Sequence, residues 1–297
     1  MRLLSHKRSN PETEVYHNPN PVPYSSTLLM IKRYQGINGM KTIAIIQGRM
    51  NSSRLPGKVL LDIAGQPMLV RVVERARRAQ LIDGVMIATT NDPSDDPLEA
   101  LCHERGYPVY RGSQFDVLDR FYQAACLAQA DTIVRLTADC PVIDPAVIDQ
   151  TVAAFRAAGA DFGANRLPPP WKRTFPMGLD TEVCSFAGLE RAWREAHLPF
   201  EREHVMPYFY DQEGRFKVVV IDHQPDCGGY RWTVDTPDDL RLLREIFARF
   251  AGSDKFSWLD VLALVQREPH LLKINAAVQA KQAMEIDARM SDNEERA

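Results

Sequence analysis

The 297-residue sequence lacks most features of secreted, membrane and nucleic-acid-binding proteins. Its five cysteines form no CxxC pair, so neither a disulfide framework nor a cysteine zinc site is indicated, and we expect reduced thiols. No apolar run approaches the roughly 20 residues of a membrane span. A net charge of −3 argues against a general nucleic-acid binder. We therefore expect a cytoplasmic protein with no membrane and no nucleic-acid partner.

The first 39 residues differ from the rest of the chain. They are polar, rich in proline and asparagine, and lack the apolar core of a signal peptide. Met40 stands directly before the first apolar run. We predict that residues 1–39 are a disordered leader or an over-extended start. A single α/β domain is expected over residues 40–250, followed by a C-terminal helical extension with a frayed tail over residues 251–297.

Short apolar runs alternate with amphipathic stretches from Met40 to Gly159. Runs such as Thr42–Gln47 and Gly84–Thr90 predict parallel strands, and stretches such as Met68–Gln80 predict helices. This rhythm predicts a three-layer α/β fold around a mainly parallel, Rossmann-like sheet. Beyond Gly159 the rhythm breaks. There Arg215–His223 predicts a strand of a small hairpin insertion, and Tyr230–Asp235 predicts a strand before another helix.

The loop after the first apolar run, Gly48–Lys58, carries several cations and hydroxyls and is called the cationic loop below. No acidic residue occurs between Lys41 and Asp62. Arginine forks, a lysine, hydroxyl groups and a glycine that allows close backbone approach suit a polyphosphate. The residues concerned are Arg49, Ser52, Ser53, Arg54, Gly57 and Lys58. The loop is not a Walker A motif, since Val59 follows Lys58. The alternative is a solvated basic loop.

Two aspartates, Asp139 and Asp235, each follow a predicted strand. Ligands of α/β sheets lie beyond the carboxyl ends of strands, so these carboxylates are expected to face the cationic loop. Mg²⁺ prefers one or two protein carboxylates with phosphate oxygens and water. The pattern predicts a magnesium pair. The alternatives are that Asp235 only caps the next helix, before Pro237, and that Asp139 is a turn residue.

Five motifs occur in one order along the chain. They are QGRMNSSRLPGK in the cationic loop, RLTADCPVIDP at Arg135–Pro145, GLDTEV at Gly178–Val183, EREHV at Glu201–Val205 and RWTVDTPDDL at Arg231–Leu240. The sequence resembles the cytidylyltransferases that activate acidic sugars. It is most similar to the branch named after the spore coat polysaccharide biosynthesis protein SpsF. The resemblance extends from Met40 to about residue 280, with Gly48 in place of the usual alanine and Ser53 in place of threonine.

The resemblance implies a fold of the nucleotide-diphospho-sugar transferase (GT-A-like) type, with a nucleotidyltransferase domain over residues 40–250. It implies that CTP and an acidic, nonulosonic-type sugar give a CMP-sugar and pyrophosphate, with Mg²⁺ held by Asp139 and Asp235. Arg49, Arg54 and Lys58 would be the catalytic cations. The product would serve surface polysaccharide or glycoconjugate biosynthesis. A homodimer is possible, with the apolar YRW and PYFY segments contributing.

Further site residues rest on weaker signals. By resemblance, the segments Ala88–Asp92 and Arg111–Arg120, which contain Ala88, Thr89, Arg111 and Asp116, should line the cytosine and ribose. The acceptor sugar is assigned to Asp180, Glu182, Glu203 and His204. A helix cap is an equal interpretation for Asp116. An exposed strand edge or a solvated helix face is the alternative for the acceptor set.

Three other functions stay open at this point. One is a nucleotidyltransferase with another base or with a phosphonate or sugar-phosphate acceptor. Another is a GT-A glycosyltransferase that consumes a nucleotide sugar, although no second aspartate stands two residues after Asp139. The last is a non-catalytic binding protein. The presence of all five charged residues expected for catalysis argues against it: Arg49, Arg54, Lys58, Asp139 and Asp235.

Overall fold

The computed structural model of the protein describes residues 16–17, 39–169 and 171–279. Most of the predicted leader and the predicted frayed end, residues 280–297, lie outside the described residues. The strands are β1 Tyr16–His17, β2 Thr42–Gln47, β3 Asp62–Ile63, β4 Gln66–Pro67, β5 Gly84–Thr90, β6 Val109–Gly112, β7 Thr132–Thr137, β8 Phe162–Ala164, β9 Glu182–Ser185 and β10 Val218–Val220. The helices are α1 Met68–Ala76, α2 Asp96–Arg105, α3 Val117–Ala128, α4 Pro145–Ala158, α5 Phe186–Glu195, α6 Pro199–His204, α7 Pro207–Tyr210, α8 Pro237–Arg249 and α9 Trp258–Arg267.

Eight strands form one sheet in the order β1-β10-β8-β9-β7-β2-β5-β6. Every neighbouring pair is parallel except the two pairs that involve β9, which runs antiparallel to β7 and β8. The mainly parallel sheet is the one predicted. Its central strands are continuous apolar runs because both of their faces are covered.

The two faces of the sheet carry different helices. Ala44 and Ile46 of β2 point to the side packed by α1, α2 and α4. Ile43 and Ile45 point to the side packed by α3 and by α5 to α7. The side chains alternate because successive strand residues face opposite ways. A third cluster joins the β3–β4 hairpin to α8 and α9. The fold is therefore three-layered, with a helical C-terminal part packed beside one end.

Side-chain caps fix where the helices near the cleft begin. The Asp116 carboxylate accepts from Asp119 N at 2.9 Å and starts α3. Asp144 caps α4 by accepting from Ala146 N at 2.8 Å. Thr236 and Asp239 form a capping box that starts α8. Each of these helices begins near the carboxyl edge of the sheet, so the caps also place the residues that face the cleft.

The region after Gly159 differs in part from the prediction. Only Val218–Val220 of the predicted hairpin strand is extended, and it pairs parallel to β8. Asp161 docks it there, since its amide donates to Lys217 O and its carboxylate accepts from Lys217 N. The hairpin is instead β3–β4, after the cationic loop. The predicted strand at residues 230–235 is reduced to one bridge between Met177 and Arg231.

In the described ranges, no helix is long and apolar enough to cross a membrane.

Candidate active site

A cleft of about 230 Å³ opens where the cationic loop, the end of β7 and the start of α8 meet. Five cationic side chains line it against three carboxylates, so the wall is positively charged overall. The lining residues are Gln47, Gly48, Arg49, Ser52, Ser53, Arg54, Lys58, Val59, Gln114, Phe115, Val117, Arg120, Arg135, Thr137, Ala138, Asp139, Glu203, His204 and Asp235. Such a wall suits an anionic ligand.

The cationic loop is folded by its own backbone. The amides of Ser52 and Gly57 both donate to Met50 O, at 2.9 and 2.7 Å. Gly57 has φ 70°, a left-handed conformation that costs little without a Cβ, and a short 3₁₀ turn begins at Lys58. At Gly48, a Cβ would lie 2.9 Å from Ala138 Cβ. The glycine that departs from the usual motif therefore fits this backbone without a shift of Ala138.

Lys58 lies between the two predicted metal ligands. Its Nζ donates to Asp139 Oδ2 at 2.7 Å, to Asp235 Oδ1 at 3.0 Å and to Val234 O at 2.8 Å. Burial lowers the pKa of Lys58, but the two carboxylates outweigh burial and hold that pKa above its usual value. The ammonium is therefore charged at neutral pH, and the structure brings Lys58, Asp139 and Asp235 together.

Asp235 is shared among several cations. Arg54 Nη2 lies 2.9 Å from its Oδ2, and Arg231 Nη2 donates to the same oxygen at 2.7 Å. Burial raises the pKa of Asp235, but Lys58 and the two arginines reverse the effect and lower it overall. Asp239 holds the Asp235 backbone by accepting from its amide at 3.0 Å. The carboxylate is therefore ionised and fixed in orientation.

The donor set fits a hard divalent cation. Asp139 and Asp235 converge on one positive charge, the Lys58 ammonium, and both line the cleft. Mg²⁺ takes one or two carboxylates and fills its other positions with water and substrate phosphates. Within the part of the chain that is described, no group of three or more His, Cys, Asp or Glu side chains surrounds a common point. Asp139 and Asp235 are the two carboxylates at this point of the cleft that could hold such a cation.

The opposite side of the cleft lies on the sheet face covered by α3 and α6. Arg135 projects from β7, donates to Gln47 Oε1 at 3.0 Å and forms an ion pair with Glu182. Glu203 and His204, at the end of α6, line this side of the cleft, and their contact with the acceptor stays a prediction. Glu182 is buried behind Arg135 and is outside the cleft lining.

Asp180 likewise lies outside the lining, in an ion-pair cluster. Its carboxylate accepts from Arg173 Nη2 at 3.0 Å and lies 3.3 Å from Arg166 Nε. Burial raises the pKa of Asp180, but Arg166 and Arg173 outweigh it and lower the pKa overall. In this conformation both acids of the GLDTEV motif, Asp180 and Glu182, form ion pairs within the protein instead of facing a ligand.

The residues predicted for the base and ribose have internal partners. Ala88 is fully buried between the sheet and α3, and Thr89 Oγ1 donates to Asp95. Arg111 bonds the Thr90 and Asp92 carbonyls and pairs with Asp96 and Glu99. Asp116 caps α3 and pairs with Arg202. None of the four lines the cleft. Neighbouring Gln114, Phe115 and Val117 line it instead, because capping turns the Asp116 carboxylate into the helix.

Sequence reasoning missed several lining or supporting residues. Arg120 belongs to the predicted segment Arg111–Arg120 but is not singled out there; it lies in the first turn of α3 and is only 2% exposed. Arg135 and Thr137 belong to a strand that was used only to locate Asp139. Asp95 is buried under the cationic loop and accepts from Met50 N at 2.7 Å. A signal for Arg135 was available, because the period-two alternation of β7 places this arginine beside apolar positions. An arginine in a helical stretch such as α3 gives no comparable signal.

The comparison with known proteins identifies the class. Residues 43–247 match the cytidylyltransferase family, and the chain belongs to that family. It is therefore a CTP-dependent nucleotidyltransferase that transfers CMP. The match spans the strands from β2 to β10, the cationic loop and both aspartates. A glycosyltransferase and a non-catalytic binding protein are thereby set aside.

Individual relatives refine this picture. The chain is 31% identical to the spore coat polysaccharide biosynthesis protein SpsF of Bacillus subtilis, over 76% of this chain and 94% of that protein. It is 30% identical to a 3-deoxy-manno-octulosonate cytidylyltransferase of Bradyrhizobium, over 70% and 98%. A solved cytidylyltransferase of Leptospira borgpetersenii is 34% identical, with a TM-score of 0.74 over 78% of this chain and 97% of that one. The resemblance to the SpsF branch is confirmed.

Proposed function

We propose that this cytidylyltransferase transfers CMP to the hydroxyl of an acidic, nonulosonic-type sugar, releases pyrophosphate and works with Mg²⁺. The observation that carries the proposal is the convergence of Arg54 and Lys58 with Asp139 and Asp235 in one positively charged cleft. Similarity to a 3-deoxy-manno-octulosonate cytidylyltransferase and to SpsF supports an acidic sugar and a role in surface polysaccharide or glycoconjugate biosynthesis.

The cationic loop binds the part of CTP that leaves. Arg49, Arg54 and Lys58 hold the β- and γ-phosphates and offset the negative charge that grows on the departing pyrophosphate. The hydroxyls of Ser52 and Ser53, both in the lining, donate to phosphate oxygens. When bound, Mg²⁺ supplies Lewis-acid polarisation of the α-phosphate. Because Lys58 and Arg54 both pair with Asp235, they are oriented toward the same point of the cleft.

A pyrophosphate-release assay tests the proposal. CTP and Mg²⁺ are combined with sialic, legionaminic, pseudaminic and octulosonic acids and, in parallel, with neutral sugars and sugar phosphates. We expect release with at least one acidic sugar and formation of its CMP conjugate. Release only with neutral or phosphorylated sugars would overturn the acceptor class.

The role of Asp235 is tested by Asp235→Asn. We expect kcat to fall about 100-fold or more, as when one electrostatic stabiliser of a transition state is removed. Asp238→Asn, three residues further along, is the matched control because its side chain is 50% exposed and pairs only at the surface with Arg241. Thermal unfolding of both variants checks that the fold is retained. Full turnover by Asp235→Asn would remove Asp235 from the mechanism.

We propose that the reaction takes place in the cytoplasm, and a homodimer stays a prediction that light scattering would test. Of the predicted interface segments, Tyr208, Phe209 and Trp232 are buried in the interior and pack within the subunit. Tyr210 and Tyr230 are half-buried, so the contribution of these segments to a dimer stays a prediction.

A further inference from the structure

The side chain of Thr137, the last residue of β7, contacts the carboxylate that follows it in the chain. The amide of Cys140 donates to Thr137 O at 3.3 Å, which closes a four-residue β-turn. Within this turn, Thr137 Oγ1 donates to Asp139 Oδ1 at 2.7 Å. The sheet fixes Thr137, because it pairs with Gln47 of β2 and the next amide, Ala138 N, donates to Gln47 O at 2.9 Å. The hydroxyl therefore reaches Asp139 from a rigid strand end.

The hydrogen bonds of this turn run in one direction. Asp139 pairs with the Lys58 ammonium as a carboxylate, which only accepts, so the single hydroxyl proton of Thr137 points at Asp139 Oδ1. The Thr137 oxygen keeps its lone pairs for accepting, and the Sγ atom of buried Cys140 lies 3.2 Å from it. The thiol is therefore the donor in that contact. A chain of donors from thiol to hydroxyl to carboxylate holds Asp139 Oδ1.

The two aspartates of the cleft are arranged alike. Each turns one oxygen to the Lys58 ammonium, Asp139 Oδ2 at 2.7 Å and Asp235 Oδ1 at 3.0 Å. The other oxygen of Asp235, Oδ2, is held by two arginines. The other oxygen of Asp139, Oδ1, is the one that Thr137 holds. Thr137 therefore has the same place at Asp139 that the arginines have at Asp235.

A hydroxyl orients a carboxylate without offsetting its charge. The arginines at Asp235 bring positive charge, whereas the Thr137 hydroxyl is neutral and leaves the full charge of Asp139 for a cation. Rotation of the Asp139 carboxylate would move Oδ2 away from the point where it converges with Asp235 Oδ1. Mg²⁺ needs oxygens at short and nearly fixed distances, so its affinity depends on that rotation.

We infer that Thr137 is a positioning residue that orients the Asp139 carboxylate for the divalent cation. The inference rests on the proposed function and deepens it, because it adds a supporting residue to the proposed Mg²⁺ site. Thr137 acts through Asp139, and the Cys140 thiol supports the Thr137 hydroxyl in turn. Loss of the hydroxyl should weaken cation binding and leave the binding of metal-free CTP by the cationic loop unchanged.

Two titrations of the protein without acceptor test the inference. Electron paramagnetic resonance follows Mn²⁺, as a probe for Mg²⁺, into the complex with CTP, and calorimetry follows CTP binding in EDTA. Thr137→Val keeps the shape of the side chain and loses the donor, so we expect the Mn²⁺ dissociation constant to rise about tenfold or more. The CTP dissociation constant in EDTA should change less than about twofold. Thr137→Ser restores the hydroxyl and should recover most of the Mn²⁺ affinity, and Cys140→Ala should weaken it less than Thr137→Val.

Thr151→Val is the matched control. Thr151 is 1% exposed, and its hydroxyl donates to Val147 O at 2.8 Å, a bond about as long as the one that Thr137 makes. Thr151 lies in α4, outside the cleft lining, so its replacement should leave both dissociation constants at the wild-type values. Thermal unfolding checks the fold of every variant. If Thr137→Val lacks a cooperative transition, Thr137→Ala carries the same test.

Asp139→Asn separates the inference from the proposed function. If Asp139→Asn binds Mn²⁺ as tightly as wild type, the proposed cation site has failed and the role of Thr137 fails with it. If Asp139→Asn loses Mn²⁺ but Thr137→Val binds it like wild type, only the inference is overturned. Weaker CTP binding by Thr137→Val in EDTA would also overturn it, because Thr137 would then be a direct ligand of the nucleotide. An equal loss of Mn²⁺ affinity in Thr137→Ser would assign the effect to packing and contradict the role of the hydroxyl.

Discussion

At the scale of single residues, one buried carboxylate ties the cationic loop to the sheet. Asp95 is fully buried, and its Oδ1 accepts from Met50 N, next to Arg49. Its Oδ2 accepts from Thr89 Oγ1 at 2.8 Å and from Thr90 N at 2.9 Å. The end of β5 therefore fixes the position of the loop through Asp95.

Replacing Asp95 by asparagine should loosen the loop. An amide has only one accepting oxygen, so one set of these bonds is lost, which costs about 1–3 kcal/mol of unfolding free energy. We expect a several-fold rise in the KM for CTP because Arg49 is less well placed. Asp96→Asn is the control, since the Asp96 side chain is 64% exposed. Urea unfolding and CTP kinetics of both variants measure the effect. If Asp95→Asn and Asp96→Asn had the same unfolding free energy and the same KM for CTP, Asp95 would not be what positions the cationic loop.

The residues of the cationic loop were predictable because the clue is local: cations and hydroxyls stand together without an acid. Asp139 and Asp235 were predictable from strand ends. The contact between Lys58 and both aspartates was not, since it joins positions 81 and 177 residues apart. Asp95 was missed for a similar reason, and Arg120 was predicted only as part of the segment Arg111–Arg120. Burial is a property of tertiary packing and leaves no mark on a single helix.

At the scale of elements, the segment after α9 returns to the candidate active site. Asn275 is buried and its Nδ2 donates to Asp239 Oδ1 at 2.9 Å and to Arg231 O at 3.2 Å. Arg54 Nη1 donates to the Gln279 carbonyl at 3.3 Å. Asp239 and Arg231 in turn hold Asp235. The C-terminal part is therefore a support of the site, in addition to packing against α8.

Asn275→Ala tests this support. It removes a donor from the buried Asp239, so we expect a loss of about 1–3 kcal/mol in unfolding free energy. Because Asp239 orients Asp235, kcat should fall about tenfold while the acceptor KM changes little. Lys273→Ala, at an exposed position of the same segment, should match wild type in unfolding free energy and in kcat. Unchanged turnover in Asn275→Ala would restrict this segment to a packing role.

Elements differed in how well the pattern predicted them. The β2, β5 and β7 runs and helices α3 and α4 follow from apolar continuity, caps and βαβ alternation. The position of β10 does not, because its place beside β8 depends on contacts with Asp161 that lie far back in the chain. The residues around Trp232 have the composition of a strand. They nevertheless form only a single β-bridge and pack in the interior. Local propensity was overridden there by tertiary contacts.

At the scale of the whole molecule, one buried acid couples stability to pH. Asp149 of α4 is 3% exposed and joins α4 to the turn before β5. Its carboxylate accepts from Gln80 N at 3.0 Å and from Leu81 N at 2.8 Å. Burial raises the pKa of Asp149 to about 6, against the opposing effect of these two donors. The ionised form is therefore less stable in the folded protein than in the unfolded chain, where the pKa is 3.8.

Between pH 4 and 6, the folded state holds a proton on Asp149 that the unfolded chain releases, so this group's contribution to stability falls as pH rises. The full cost, about 3 kcal/mol at most for this difference in pKa, is reached above about pH 6. Asp149→Asn has nothing to titrate. We expect wild type to lose stability relative to Asp149→Asn from pH 4.5 to 7, measured by urea unfolding at several pH values. A flat difference for Asp149→Asn would mean that water or a cation reaches the carboxylate and that α4 packs less tightly on this turn than the structure indicates.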